Sequence, residues 1–155
     1  MMDEKIISFD LGTGGNKVSL YTLNGTCLAS AFEPYGTSYP LVGWHEQAPA
    51  DWWRAVVTST RKLLAESRVE RDSIVGLGIS GHSLGAVPVD RDGNLLRAAT
   101  PIWSDIRAQE ETAQFFTRVK ADDWYLATGN GFPAACYTVF KVMWYHNHEP
   151  EMFSK

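Results

Sequence analysis

The segment from Asp10 to Lys17 combines a carboxylate with a glycine-rich turn. An apolar run, 6–9, leads into Asp10, three glycines follow within five residues, and a second apolar run begins at Val18. Glycine lets backbone N–H groups approach a ligand, and successive N–H groups around such a turn suit phosphate oxygens. A carboxylate beside them suits phosphate-bound Mg²⁺, directly or through water. An ordinary hairpin turn with a solvent-facing Asp10 fits the same residues, so both interpretations stay open locally.

The second candidate group is His82 with Ser83, which directly follows the apolar run 74–80. In open α/β sheets, ligand groups collect at the carboxyl ends of strands. The flanking Gly81 and Gly85 also permit close backbone approach. His82 and Ser83 are therefore candidates to bind sugar hydroxyls or another polar ligand. The alternative is a polar turn between strands with a structural histidine.

Trp103 and Asp105 form the third candidate group. Trp103 suits stacking on a sugar ring, and it equally suits core packing. Asp105 suits ligand binding, capping of a helix that starts near Arg107, or both. His146 and His148 are two residues apart, and a helix does not place such positions on one face, which argues against a metal pair.

The elements that must position these groups indicate an α/β fold with a mixed sheet. Three strands form a predicted antiparallel meander with an Asn24-Gly25 hairpin turn, at 6–10, 16–22 and 27–33. The unbroken apolar run 74–80 predicts a parallel strand buried on both faces, and 86–90 predicts a further strand. Helices are predicted at 50–66, 107–119, 122–127 and 138–148, from the spacing of apolar residues and from residues typical of helix ends. Strands interleaved with helices in this order favour α/β.

Composition excludes several classes of protein. The 155 residues are 45% hydrophobic and 21% charged, and the net charge of −4 argues against a nucleic-acid surface. No run approaches the length of a membrane span, and the first residues lack the pattern of a signal peptide. Cys27 and Cys136 predict buried free thiols in a reducing, cytoplasmic location.

Five motifs in order resemble one known family. They begin at Asp10, Gly43, Gly78, Pro101 and Thr128, as Asp-Leu-Gly-Thr-Gly-Gly-x-Lys, Gly-Trp-x-Glu-Gln-x-Pro-x-x-Trp-Trp, Gly-Ile-Ser-Gly-x-x-x-Gly-Ala-Val-x-x-Asp, Pro-Ile-Trp-x-Asp-x-Arg-Ala, and Thr-Gly-Asn with a later His-Glu-Pro-Glu-Met-Phe. Each motif is weak alone, but their order over residues 6–153 is specific. The chain resembles the N-terminal part of the FGGY carbohydrate kinase family, within its xylulokinase-like branch.

The resemblance implies a fold, a reaction and a set of site residues. The fold is that of actin, hexokinase and Hsp70, in which two ribonuclease-H-like domains flank a cleft. The reaction transfers the γ-phosphate of ATP, with Mg²⁺, to a sugar hydroxyl. The implied phosphate and Mg²⁺ residues are Asp10, Gly12, Thr13, Gly14 and Lys17. The implied sugar-site residues are His82, Ser83, Trp103, Asp105 and Tyr137, the last approaching the sugar together with Cys136.

The resemblance also implies what this chain lacks. The catalytic base is expected beyond residue 155, as is the second half of the ATP site. Residues 1–155 are thus expected to form an incomplete N-terminal domain that is inactive alone, needs a C-terminal kinase domain and self-associates. A non-catalytic sugar-binding or regulatory module of the same fold is the alternative.

One departure from the branch bears on the substrate. Xylulokinases usually carry Gly-Gln-Met-His-Gly where this chain has Gly81-His82-Ser83-Leu84-Gly85. The histidine that binds xylulose in that branch is therefore Leu84 here, which puts D-xylulose in doubt and leaves another ketose or a polyol.

Overall fold

The computed structural model describes residues 3–155, which divide into two compact units. The first unit holds the described residues up to Thr37 together with Ala48–His82. The second unit holds Ser38–Gln47 and Ser83–Lys155.

The first unit is built on a four-stranded mixed sheet. Its strands are β1 (Lys5–Leu11), β2 (Gly15–Thr22), β3 (Cys27–Pro34) and β5 (Ile74–Gly81), in the order β3-β2-β1-β5. β1 with β2 and β2 with β3 are antiparallel pairs, which confirms the predicted meander. β5 pairs with β1 in parallel, also as predicted, so the carboxyl ends of these two strands meet at one edge of the sheet.

Helix α1 (Pro49–Ser67) covers part of this sheet and confirms the helix predicted at 50–66. It packs against β2 and β3, and the core beneath it contains Ile7, Phe9, Val18, Leu20, Ala31 and Leu63. A buried hydrogen bond of 2.8 Å from Asn16 Nδ2 to Ser59 Oγ joins β2 to the helix. Trp53 of this helix is 70% exposed although it is a large apolar residue.

The prediction that β5 is buried on both faces is wrong. Leu77 pairs with Ile7 and Ile79 pairs with Phe9, so all four side chains lie on one face of the sheet. Ile7 and Phe9 are buried there, whereas Leu77 is 64% exposed and Ile79 is 68% exposed. The reason is that α1 lies over β2 and β3, so its cover does not extend to β5.

The second unit is mainly helical. A short antiparallel pair, β4 (Glu46–Gln47) with β6 (Thr100–Pro101), precedes its helices. The helices are α2 (Gln109–Phe116), α3 (Ala121–Thr128), α4 (Thr138–His148) and α5 (Pro150–Phe153). Their shared core contains Ala86, Ala108, Ala134, Phe140, Trp144 and Tyr145. The three helices predicted after residue 106 are confirmed, with α4 at its predicted bounds.

Two other expectations fail in detail. The strand predicted at 86–90 is absent from the described part of the chain, where a single bridge joins Val89 to Leu95. Val87 and Val89 are accordingly 41% and 49% exposed instead of lying in a sheet core. Both cysteines are free, but Cys27 is exposed because its strand lies at the edge of the sheet, and Cys136 is half-buried.

Within residues 3–155, the structure contains no helix with the length and apolar character needed to cross a membrane.

Candidate active site

The glycine-rich turn joins β1 to β2 and lies beside Asp10. Asp10 is exposed near the carboxyl end of β1, and the Gly12 N–H donates to the Gly15 carbonyl across the turn, at 3.0 Å. A Cβ at Gly14 would meet no atom within 4 Å, so the turn is open on that side. A Cβ at Gly15 would lie 2.6 Å from the Glu33 carbonyl oxygen, so packing against β3 requires glycine there.

Tyr35 holds this turn through two hydrogen bonds, and this residue was not among those predicted from the sequence. Its hydroxyl donates to the Gly12 carbonyl, and its backbone N–H donates to the Gly14 carbonyl at 3.4 Å. Burial raises the pKa of the Tyr35 hydroxyl, and the negative charge of Asp10 raises it further. Tyr35 therefore fixes the carbonyls of the turn next to the carboxylate. The available signal was its place directly after β3, ahead of Gly36.

Lys17 lies opposite Asp10 in the antiparallel register of β1 and β2. Directly opposed residues of an antiparallel pair point to the same face, so the ammonium and the carboxylate share one face of the sheet. Both side chains are exposed. An exposed carboxylate, an exposed lysine and an open glycine turn fit a site for Mg²⁺ and phosphate oxygens.

His82 follows β5 at the same edge of the sheet. Its backbone N–H donates to the Leu11 carbonyl at 3.1 Å, and its ring Nδ1 lies 3.2 Å from the same oxygen. The ring also makes an edge-on contact with Trp52 of α1, with centroids 5.3 Å apart. His82 is therefore held at the ends of β1 and β5, where the first unit also carries Asp10 and the glycine turn.

The loop that contains Ser83 belongs to the second unit. Ser83 is exposed, and Leu84 has a φ of 64°, a left-handed conformation that is unusual for a bulky residue. The Thr138 hydroxyl donates to the Gly85 carbonyl at 3.2 Å. This bond brings the loop to the start of α4, where Tyr137 lies.

Asp105 is fully buried and accepts four hydrogen bonds. Its Oδ1 accepts from the backbone N–H and the Nε of Arg107, at 3.0 and 2.9 Å. Its Oδ2 accepts from the His45 N–H at 2.7 Å and from Arg107 Nη2 at 2.8 Å. The alternative that Asp105 caps a helix does not hold, because α2 begins later, with Ala108 at its N-cap. Since these donors occupy both oxygens, the geometry favours support of the site over direct sugar contact.

Arg107 connects this carboxylate to the wider core. Its Nη2 donates to Glu46 Oε1 at 2.7 Å, and its guanidinium lies 3.9 Å from the centroid of the Trp44 ring. Burial opposes the charge, but the hydrogen bonds that the guanidinium donates to Asp105 and Glu46, with their negative charges, outweigh that effect and raise the pKa of Arg107. Sequence reasoning missed this network because its members are up to 61 residues apart.

Trp103 and Tyr137 also lie in the second unit. Trp103 is 45% exposed, so it does not fill the core. Tyr137 is half-buried at the N-cap of α4, and its ring lies 6.4 Å from that of Trp124. The structure thus groups Asp10, the turn and His82 in the first unit. The remaining sugar-site candidates, Ser83, Trp103, Asp105 and Tyr137, lie in the second.

Comparisons with known proteins identify the family of this chain. The model of the FGGY family of carbohydrate kinases, N-terminal domain, matches residues 5–155. The chain is 35% identical over 149 residues to a xylulose kinase of Klebsiella pneumoniae, covering 96% of this chain and 30% of the relative. It is 31% identical over 150 residues to a xylulose kinase of Bacillus subtilis (strain 168), covering 97% of this chain and 30% of the relative.

A solved structure shows the same fold. The xylulose kinase from Rhodospirillum rubrum superposes with a TM-score of 0.87 at 28% identity, covering 97% of this chain and 30% of that one. The fold is therefore that of the actin- and hexokinase-like sugar kinases. The chain spans about 30% of the length of the relatives it matches. From its family match and its fold, the chain belongs to the FGGY family of carbohydrate kinases, as an N-terminal domain.

Proposed function

We propose that this chain supplies the sugar-binding and first phosphate-binding part of an ATP-dependent carbohydrate kinase. The observation that carries the proposal is the grouping of Asp10, the open glycine turn and His82 at one edge of the first unit's sheet. A carboxylate beside an open glycine turn supports a role in phosphoryl transfer more directly than a role in sugar sensing alone.

Phosphoryl transfer depends on positioning and on charge stabilisation, and these residues suit both. Asp10 would hold Mg²⁺, which neutralises phosphate charge when it is bound. The backbone N–H groups of Gly12, Thr13 and Gly14 would orient phosphate oxygens, with Lys17 adding positive charge. The base that accepts the sugar's hydroxyl proton is expected in the remaining length that the relatives possess.

Sugar binding is assigned to His82, Ser83, Trp103 and Tyr137, with Asp105 as support. Imidazole, hydroxyl and phenol groups can bond sugar hydroxyls, and an exposed tryptophan ring can stack on an apolar sugar face. The relatives are xylulose kinases, which favours a ketose or a related polyol. Leu84 offers no hydrogen bond where the branch usually has histidine, so D-xylulose should be a poor substrate.

The test is ADP release by the full-length kinase with MgATP and a panel of pentuloses, hexuloses and polyols. We expect one sugar class to stimulate release, and the 155-residue chain alone to release none. Leu84→His should raise kcat/KM for D-xylulose about tenfold, the effect of one added hydrogen bond of about 1.4 kcal/mol. Leu84→Asn is the matched control because asparagine also tolerates the left-handed conformation.

The outcomes separate the two parts of the proposal. A full-length protein that no sugar or polyol stimulates would rule out the kinase assignment and favour the binding module. A wild-type enzyme that already prefers D-xylulose would contradict the argument from Leu84 while leaving the kinase assignment intact.

We also propose that the 155-residue chain self-associates through the uncovered face of β5. Leu77 and Ile79 are exposed, and they lie next to buried core residues of β1 on the same face of the sheet. Exposed apolar surface of this kind favours association. Light scattering over a concentration series should show an average mass that rises with protein concentration. The double substitution Leu77→Lys with Ile79→Lys should abolish this rise. Leu126→Lys, on exposed helix α3, should have no such effect. A wild-type monomer at every concentration would contradict the proposal.

A further inference from the structure

Lys141 is a fully buried lysine in the second turn of α4. Its Nζ donates a hydrogen bond to the backbone carbonyl of Cys136. Burying an ammonium is costly unless nearby groups compensate the charge. A hydrophobic residue would fill this core position without that cost, so the placement of a lysine here requires an explanation.

The groups whose charge acts on Lys141 are Asp105, Cys136 and Arg107. Burial lowers the pKa of Lys141 to about 8; the negative charge of Asp105 and the Cys136 thiol oppose this shift, and Arg107 reinforces it. Asp105 already accepts four hydrogen bonds, so it acts on Lys141 through its charge. Lys141 is thus charged at neutral pH and loses its proton in mildly alkaline solution.

The bond from Lys141 holds the segment that leads into Tyr137. Residues Ala134–Cys136 form one turn of 3-10 helix, and Tyr137 follows in an extended conformation at the N-cap of α4. The Cys136 carbonyl belongs to the peptide group that directly precedes Tyr137. A side chain anchored one turn along α4 therefore limits how far this peptide, and the tyrosine attached to it, can move.

We infer that Lys141 is a positioning residue that sets Tyr137 for sugar binding and links it electrostatically to Asp105. This inference rests on the proposed function and adds a residue to it. Lys141 itself does not touch the substrate. Its contribution is a charge-assisted hydrogen bond to a carbonyl, which is stronger than a neutral one and weakens to a neutral one when the ammonium loses its proton.

The test compares wild type and Lys141→Met in the full-length kinase, with the best sugar of the panel. Methionine fills a similar volume without donating a hydrogen bond. We expect KM for the sugar to rise about tenfold, from the loss of one charge-assisted hydrogen bond, with kcat within about threefold. Val142→Met, on the exposed side of α4, is the matched control and should leave both constants unchanged.

The pH profile distinguishes positioning from general stability. In wild type, KM should rise between pH 7 and 9.5 as Lys141 loses its proton, whereas in Lys141→Met it should be high and flat. An unchanged KM in a folded Lys141→Met enzyme would overturn the inference, as would a pH dependence that survives the substitution. If that variant does not fold, a flat wild-type profile would overturn it and a rising one would support it. In each case an active wild-type kinase shows that the proposed function itself stands.

Discussion

Replacing Asp10 with asparagine should lower kcat of the full-length kinase by about 100-fold or more, a typical cost of losing one transition-state charge contact. Asparagine keeps the size of the side chain but removes the charge that would hold Mg²⁺ beside the phosphates. Because Asp10 is exposed, the substitution should not disturb the core. KM for the sugar should change little, since the sugar contacts are assigned to other residues.

Steady-state kinetics over a range of Mg²⁺ concentrations, with a thermal melt of each protein, would measure this effect. Asp122→Asn is the matched control, because Asp122 is an exposed carboxylate on α3 outside the three candidate groups. If Asp10→Asn turned over at close to the wild-type rate in saturating Mg²⁺, the interpretation of the turn as a phosphate site would be wrong.

Replacing Arg107 with methionine should lower the free energy of unfolding by about 3–5 kcal/mol, as expected when one partner of a buried ion pair is removed. The guanidinium is completely buried between Asp105 and Glu46. Without it, Asp105 stays buried and loses its ion-pair partner, while Glu46 keeps only its contact with Arg97, at 3.1 Å. Urea denaturation followed by tryptophan fluorescence would report the loss, since the Arg107 guanidinium lies over the Trp44 ring.

A surface pair provides the comparison for this prediction. Arg54 lies 2.7 Å from Asp51 on α1, but its side chain is 68% exposed. Arg54→Met should therefore cost less than about 1 kcal/mol, the usual limit for an exposed ion pair. Equal losses in the two variants would show that the Arg107 network contributes no more than a surface contact.

The sequence alone determined the local elements and the turn that carries the candidate phosphate site. The alternating and helical spacings of apolar residues depend only on residues that are close in the sequence. The meander, α1 and α4 were therefore predicted close to their observed bounds. The order of motifs was also sufficient to identify the family. These features are local or linear, and a linear pattern can specify them.

The tertiary structure decided which faces are covered and which polar groups meet. An apolar run predicts a strand, but only the placement of α1 over β2 and β3 leaves Leu77 and Ile79 exposed. Asp105 resembled a helix cap because Arg107 follows it, yet its Oδ2 also bonds His45, which is 60 residues away. Burial and long-range hydrogen bonds depend on how distant segments pack. For that reason, spacing along the chain did not predict the roles of Tyr35 and Lys141.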